Sequence, residues 1–360
     1  MKLFLFASFL LIASVYSFGL DNVIDDCCTS NWSLLCSKCY ESCPLRENGI
    51  EMLNDVLKSR IFGQDDAIDT IVTTLINRDN TKPIVFHFAG DNGTGKTITA
   101  KTIAEAMFAV KNMLTDSYRG LLYLRGNHYC TEGEHDGHIE FREQIMTSIV
   151  TQLSKCKESL IIFDEAELPS RKTMQIFEEI FDDQSTLEYK DIKVSKAYAT
   201  FILISDFGTD NDDQKLSPDE KIHKDTTDTW TYSKQVNTID NIIPFNALEI
   251  VDDVPTSVRE QVRFLLQNLV RHPPTIIKNK FNVKIQSIGI DDQNLDALAL
   301  YVYSTLKDSM IYNNRNYRGI EQVFNKKVTP KLTSQIKYSN KKVDLRLKIE
   351  EDMIYFEIKD

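Results

Sequence analysis

The chain has 360 residues, 42% hydrophobic and 26% charged, the composition of a folded globular protein rather than a disordered or fibrous one. Its formal net charge of -11 argues against an electrostatic nucleic-acid binder, which needs clustered Lys and Arg to displace counterions. The length accommodates one large core and a smaller one.

Lys2 is followed by an apolar run from Leu3 to Ala13 and then Val15-Tyr16-Ser17. A basic start, about a dozen apolar residues and small residues before a cut site form a secretory signal peptide over 1–17. A buried N-terminal helix is the competing reading. A membrane anchor needs ~20 apolar residues, and the chain turns polar after Phe18, so the mature protein is expected to be soluble.

Cys27, Cys28, Cys36, Cys39 and Cys43 crowd into a Cys-rich segment over 18–49. In a cytosolic protein, Cys36-x-x-Cys39 with Cys43 nearby would suggest zinc. Behind a signal peptide, disulfides are the reading that fits an oxidising compartment. Cys130 and Cys156 complete a total of seven, so at least one thiol stays free and the pairing is open. Asn31-Trp32-Ser33 is a glycosylation sequon in the same segment. A second, Asn92-Gly93-Thr94, is expected to be hidden by folding.

The pattern then predicts a short helix over Ile50 to Leu57, a break at Phe62-Gly63-Gln64, and a helix over Ala67 to Ile76. Pro83 to Ala89 (PIVFHFA) reads as a buried parallel strand. A glycine loop and a helix over Thr97 to Val110 follow. Leu121 to Leu124 is a second strand, and Phe141, Ile145, Ile149 and Leu153 recur every four residues in a helix over Ile139 to Leu153. Leu160 to Phe163 is a third strand, followed by acidic residues and a helix near Thr173 to Phe181. Ala197 to Ser205 is a further strand.

Strands alternating with helices and opening on a glycine loop predict an α/β, doubly wound parallel sheet. Residues 207–237 are polar and expected to form a mobile loop. From Pro255 onward, helices are predicted over Ser257 to Val270, Asp291 to Leu306 and Arg318 to Lys326. Alternating Val343, Leu345, Leu347 and Ile349, then Met353, Tyr355 and Ile358, predict a hairpin turning at Glu350-Glu351-Asp352. The expected division is a nucleotide-binding domain over 50–250 and a smaller, mainly helical C-terminal lid over 251–360.

Gly90-Asp91-Asn92-Gly93-Thr94-Gly95-Lys96-Thr97 matches G-x-x-x-x-G-K-[ST] between a predicted strand and helix, the context that motif requires. Its glycines let backbone N–H groups curl around phosphate oxygens, and the helix N-terminus adds partial positive charge. Lys96 reaches the β/γ-phosphates of ATP, and the Thr97 hydroxyl ligates Mg2+. Leu160-Ile161-Ile162-Phe163-Asp164-Glu165 supplies the second half. The apolar strand delivers Asp164 to the Mg2+ shell, and Glu165 polarises the attacking water. Six histidines are scattered without metal-ligand spacing, and no zinc site is expected.

Ile61-Phe62-Gly63-Gln64 resembles the box by which Clp-type AAA+ proteins approach adenine. Asp26-Cys27-Cys28, that box, the phosphate loop, Cys156 before IIFDEAE, FILISD and IDNIIPFNAL (239–248) occur in the order and spacing of torsins. The resemblance spans most of residues 25–330. It implies a P-loop AAA+ fold and a lumenal ATPase of the endoplasmic reticulum related to Clp/HSP100 proteins, acting as a homo- or hetero-oligomer on protein clients. It also implies activators: membrane-bound proteins whose lumenal domains supply an arginine finger.

Several positions depart from the torsin pattern. Thr97 replaces Asn, and the sensor after FILIS is Asp206 rather than Asn. The Gly-Cys-Lys sensor becomes Gly319-Ile320-Glu321, which removes both a redox cysteine and a cationic contact to the γ-phosphate. Weak hydrolysis without an activator is therefore expected. Arg259, Arg263, Arg271, Arg315 and Arg318 are candidate fingers, although helical arginines more often face solvent. Tyr129 lies where a pore loop would fall, but in a context that suits a packing or surface aromatic. A nucleotide-locked binding module that barely turns over is the alternative to an active ATPase.

Overall fold

The computed structural model of the chain describes residues 43–112, 116–130, 137–182, 184–208, 220–222, 224–226, 241–248, 251–275, 277, 281, 283–308, 316–336, 342–350 and 353–359. The N-terminal apolar run, Cys27, Cys28, Cys36, Cys39, the Asn31 sequon, Arg315, Glu351, Asp352 and most of 207–237 lie outside these residues.

Five strands build the central sheet: β1 (Ile84–Gly90), β2 (Leu121–Arg125), β3 (Leu160–Asp164), β6 (Thr200–Ser205) and β7 (Asn241–Phe245). Their spatial order is β2-β3-β6-β1-β7 and every pairing is parallel. All residues of β1 and β6, and the first four of β3, are buried, which is why they read as unbroken apolar runs. A separate antiparallel hairpin, β4 (Thr186–Tyr189) and β5 (Ile192–Ser195), was not predicted.

Helices cover both faces. α1 (Leu53–Lys58), α2 (Asp65–Ile76) and α3 (Lys96–Met107) pack on one side, where Ile68, Ile71, Val72 and Leu75 of α2 join Phe86 and Phe88 of β1. α4 (Gly137–Lys155) covers the other through Ile145, Met146, Ile149 and Leu153. The helix expected over 173–181 is broken into α5 (Arg171–Met174) and α6 (Ile176–Ile180). Ser170 caps the first piece, accepting from the Thr173 N–H at 3.2 Å.

A third cluster belongs to the C-terminal part. It comprises α7 (Thr256–Arg271), α8 (Asp292–Asp308), α9 (Asn316–Lys327) and α10 (Thr329–Ile336), with a sheet of β8 (Lys284–Gly289), β9 (Lys342–Glu350) and β10 (Met353–Lys359). The predicted terminal hairpin is present as β9–β10. β8 adds a parallel partner to β9 that the sequence reading lacked.

Cys43 is bonded to Cys156 across a sequence separation of 113, with Cα atoms 5.8 Å apart. Cys43 therefore pairs with the sheet domain rather than with the N-terminal cluster, and Cys130 carries a free, exposed thiol. Closing a loop of about 100 residues removes chain entropy worth about 4.7 kcal/mol from the unfolded state in the loop-entropy account. The bond ties the first described residue to the turn that feeds β3.

Candidate nucleotide site

A cleft of about 1030 Å³ opens at the carboxyl ends of the parallel strands. It is lined by the phosphate loop, by the ends of β2, β3 and β6, and by α7 and α9 of the C-terminal part. Ligands in open α/β sheets bind at this edge because loops and helix N-termini converge there.

The loop between β1 and α3 brings Asn92, Gly93, Thr94, Gly95, Lys96 and Thr97 to the cleft. Gly90 has φ +140, and a Cβ there would lie 2.2 Å from the Phe245 carbonyl oxygen, so only glycine allows β1 to leave the sheet at this angle. Gly90 and Asp91 serve the site through their backbones: Lys96 Nζ donates to their carbonyl oxygens at 2.6 and 2.8 Å. Lys96 is only 6% exposed, and its third partner is Asp206 Oδ1 at 2.9 Å. The second sequon differs from expectation. Thr94 is buried, but Asn92 is exposed and donates its side-chain amide to Asp206 Oδ2.

Asp164 ends β3, one strand from β1, with β6 between. The Thr97 hydroxyl lies 3.2 Å from its Oδ2 and 3.4 Å from its Oδ1. Two oxygen ligands of this kind, one from the first turn of α3 and one from the end of β3, suit a hard cation, so Thr97 and Asp164 would hold Mg2+ beside the phosphates. The Tyr123 hydroxyl also donates to Asp164 Oδ2. Burial comes first, then the Asp164 hydrogen bond, in pushing that phenol above its ordinary range.

Glu165 adopts φ +59, a left-handed conformation that costs a non-glycine residue of order 1–3 kcal/mol. Its Oε2 is shut off from solvent with no hydrogen-bond partner among the described residues. The turn is pressed against Gly126, where an added Cβ would sit 1.9 Å from the Glu165 carbonyl oxygen. A strained acidic residue with an unsatisfied oxygen at the end of β3 suits a group that must accept a proton from water.

Residues 34–163 match the Torsin family model. The torsin resemblance read from the motifs is therefore met by an independent comparison over the phosphate loop and β3 as far as Phe163, stopping just before Asp164 and Glu165. The chain is also 27% identical over 211 residues to the chaperone protein ClpB of Mycoplasma genitalium, covering 55% of this chain and 28% of that one. It is 27% identical over 243 residues to ClpB of Helicobacter hepaticus, and 26% identical over 170 residues to the mitochondrial disaggregase of Bos taurus. These cover 62% and 44% of this chain, and 26% and 24% of the relatives. The chain thus spans about a quarter of the length of these relatives. A closed-state structure of Hsp104 with ATPγS and FITC casein aligns with a TM-score of 0.62 at 15% identity, covering 86% of this chain and 52% of that one. The fold is that of an AAA+ protein.

Of the positions that depart from the torsin pattern, Thr97, Asp206 and Glu321 line this cleft, whereas Ile320 is buried in the C-terminal core. Asp206 is engaged with Lys96 and Asn92, as above. Glu321 and Arg318 line the mouth from α9, one turn apart and exposed, while Gly319 and Ile320 between them are buried. Of the other arginines, Arg259 is paired with Asp292 and Asp296, and Arg263 with Asp292. Tyr129 is a packing aromatic, with its ring stacked 5.8 Å from Phe163. In the hydrophobic-x-Gly-Gln box, Ile61 and Phe62 line the cleft. The Gln64 amide instead bonds both backbone groups of Asn246, at 2.8 and 2.9 Å.

Glu167 was given no role by the sequence reading. It lines the cleft, and burial pushes its carboxyl up to about 7, with Asp206 adding to the rise and Lys96 opposing it. The folded chain keeps a proton that the unfolded chain releases from 4.5 upward. Stability should therefore fall as pH rises through the window between 4.5 and about 7. Glu167→Gln should raise the melting temperature at the upper end of that window and leave it unchanged at the lower end. Equal differences at both ends, in parallel thermal melts, would show that Glu167 titrates as an ordinary glutamate.

Proposed function

We propose that the chain is a torsin-like ATPase of the endoplasmic reticulum lumen that binds Mg-ATP and couples slow hydrolysis to remodelling of proteins or membranes. The observation that carries the reading is the convergence of Lys96, Thr97, Asp164 and Glu165 at one cleft. The backbone loop and Lys96 would hold the phosphates, Thr97 and Asp164 the cation, and Glu165 the attacking water. Mg2+, when bound, would draw charge from the phosphate oxygens as the terminal bond breaks.

The apolar N-terminal run and the Cys43–Cys156 bond support a lumenal location, since disulfides persist in oxidising compartments. Activators with lumenal domains would supply the arginine finger, and protein clients and an oligomer follow from the torsin resemblance. One observation favours the second reading, a nucleotide-locked module that docks partners: the Lys96–Asp206 ion pair already occupies the phosphate-binding cation.

Turnover measured on the full chain, with and without candidate partner domains, separates the two. An active ATPase should lose roughly 10²–10⁴-fold in rate with Glu165→Gln while retaining bound nucleotide. Wild-type turnover at the background level with every partner would leave the docking module. A variant that hydrolyses at the wild-type rate would remove Glu165 from the mechanism.

A further inference from the structure

Tyr123 belongs to none of the motifs in the chain, yet its hydroxyl bonds the carboxylate assigned to the cation. We propose that Tyr123 is a positioning residue that holds Asp164 and so sets how tightly the site takes Mg2+. This rests on the Mg-nucleotide reading above.

Strand register explains the contact. β2 and β3 run parallel with Tyr123 opposite Ile162 and Arg125 opposite Asp164. Side chains alternate along strands, so Tyr123, Arg125 and Asp164 share one face. A phenol two residues back on the neighbouring strand is long enough to meet the end of Asp164. α3 packs over the same face with matching periodicity. Thr97 and Lys101 stand one helical turn apart. Thr97 meets Asp164, and Lys101 Nζ lies 4.7 Å from the centre of the Tyr123 ring. Arg125 Cζ is 5.7 Å from the same centre.

Asp164 consequently receives donors from Tyr123, from Thr97 and from the Glu165 N–H at 3.2 Å. The tyrosine is the one long side chain among them, and its hydroxyl meets the same Oδ2 that the Thr97 hydroxyl approaches. It also seats two cations on its ring face. Lys101 and Arg125 both line the cleft and would otherwise compete with the metal for Asp164. Groups that bond a ligating carboxylate from outside contribute about 10–100-fold to metal affinity in other sites.

The test is a Mg2+ titration of fluorescent ATP-analogue binding to the full chain, repeated in EDTA. Tyr123→Phe keeps the ring and removes the hydroxyl, and should raise the half-saturating Mg2+ concentration about tenfold. Binding in EDTA should stay at the wild-type level, which a packing defect would not allow. Lys101→Met keeps the hydroxyl but loosens the ring, and should shift the Mg2+ requirement the same way by a smaller factor. An unchanged Mg2+ requirement in both variants overturns the proposal, as does equal weakening of Tyr123→Phe with and without metal. If Tyr123→Phe fails to fold, Lys101→Met decides alone, and no shift there is the overturning result. Failure of the wild-type chain to bind the analogue under either condition would sink the nucleotide reading instead.

Discussion

Lys96→Ala should abolish the thermal stabilisation that ATP confers on the wild-type chain. A ligand that binds only the folded state at a hundred times its dissociation constant stabilises by about 2.7 kcal/mol, so the wild-type shift is readily measured. The lysine is 6% exposed and held by two loop carbonyls, so its charge is fixed where the phosphates must sit. Removing it does more than delete one contact. The Asp206 carboxylate, 2.9 Å from Nζ, would be left to repel an incoming triphosphate. The double variant Lys96→Ala with Asp206→Asn should therefore recover part of the ATP shift. A single variant that melts with the wild-type ATP shift would show that the phosphate loop has been assigned wrongly.

The buried strands and the phosphate loop were legible because each carries a local signal. β1, β3 and β6 are apolar runs, and the loop's residue spacing is set by backbone geometry around a phosphate. β7 carries a weaker strand signal of its own, since Asn241–Phe245 includes Pro244, which cannot donate to a ladder. The sheet order is consistent with the proline: among the described strands β7 lies at the edge, paired with β1, and strand prolines are confined to such edges. The β4–β5 hairpin has four residues per strand, too few to show a period. The Cys43–Cys156 pairing was illegible for another reason, since it links segments brought together only by the fold. The same holds for Tyr123 and Glu167. Their importance comes from the register of β2 on β3 and from burial beside Asp206, neither of which leaves a mark in linear order. The break between α5 and α6 falls at Gln175, and the structure offers no physical account of it.

Glu321→Lys should strengthen ATP binding relative to ADP by about tenfold or raise turnover by a similar factor. Glu321 and Arg318 project from α9 into the cleft mouth, and neither is buried. Unit charges 4 Å apart interact by about 4 kcal/mol at an effective dielectric near 20 and about 1 kcal/mol in water. At an exposed mouth the effect falls towards the lower figure, and reversing the sign doubles it. That is enough for about a factor of ten, since 1.36 kcal/mol is tenfold. The helix itself is well placed to respond to nucleotide. Asn316, its first residue, donates to the Asn92 carbonyl of the phosphate loop at 2.8 Å and accepts from the Leu248 N–H at 2.8 Å. Movement of the loop around a phosphate would thus be felt at the first residue of the helix that carries Glu321. Arg318 competes for the same role. If Arg318 is the cation that meets the γ-phosphate, Arg318→Ala will lower the ATP-to-ADP preference and Glu321→Lys will leave it at the wild-type value. Paired ATP and ADP titrations of the two variants therefore assign the sensor, and screening by added salt should shrink whichever effect is seen.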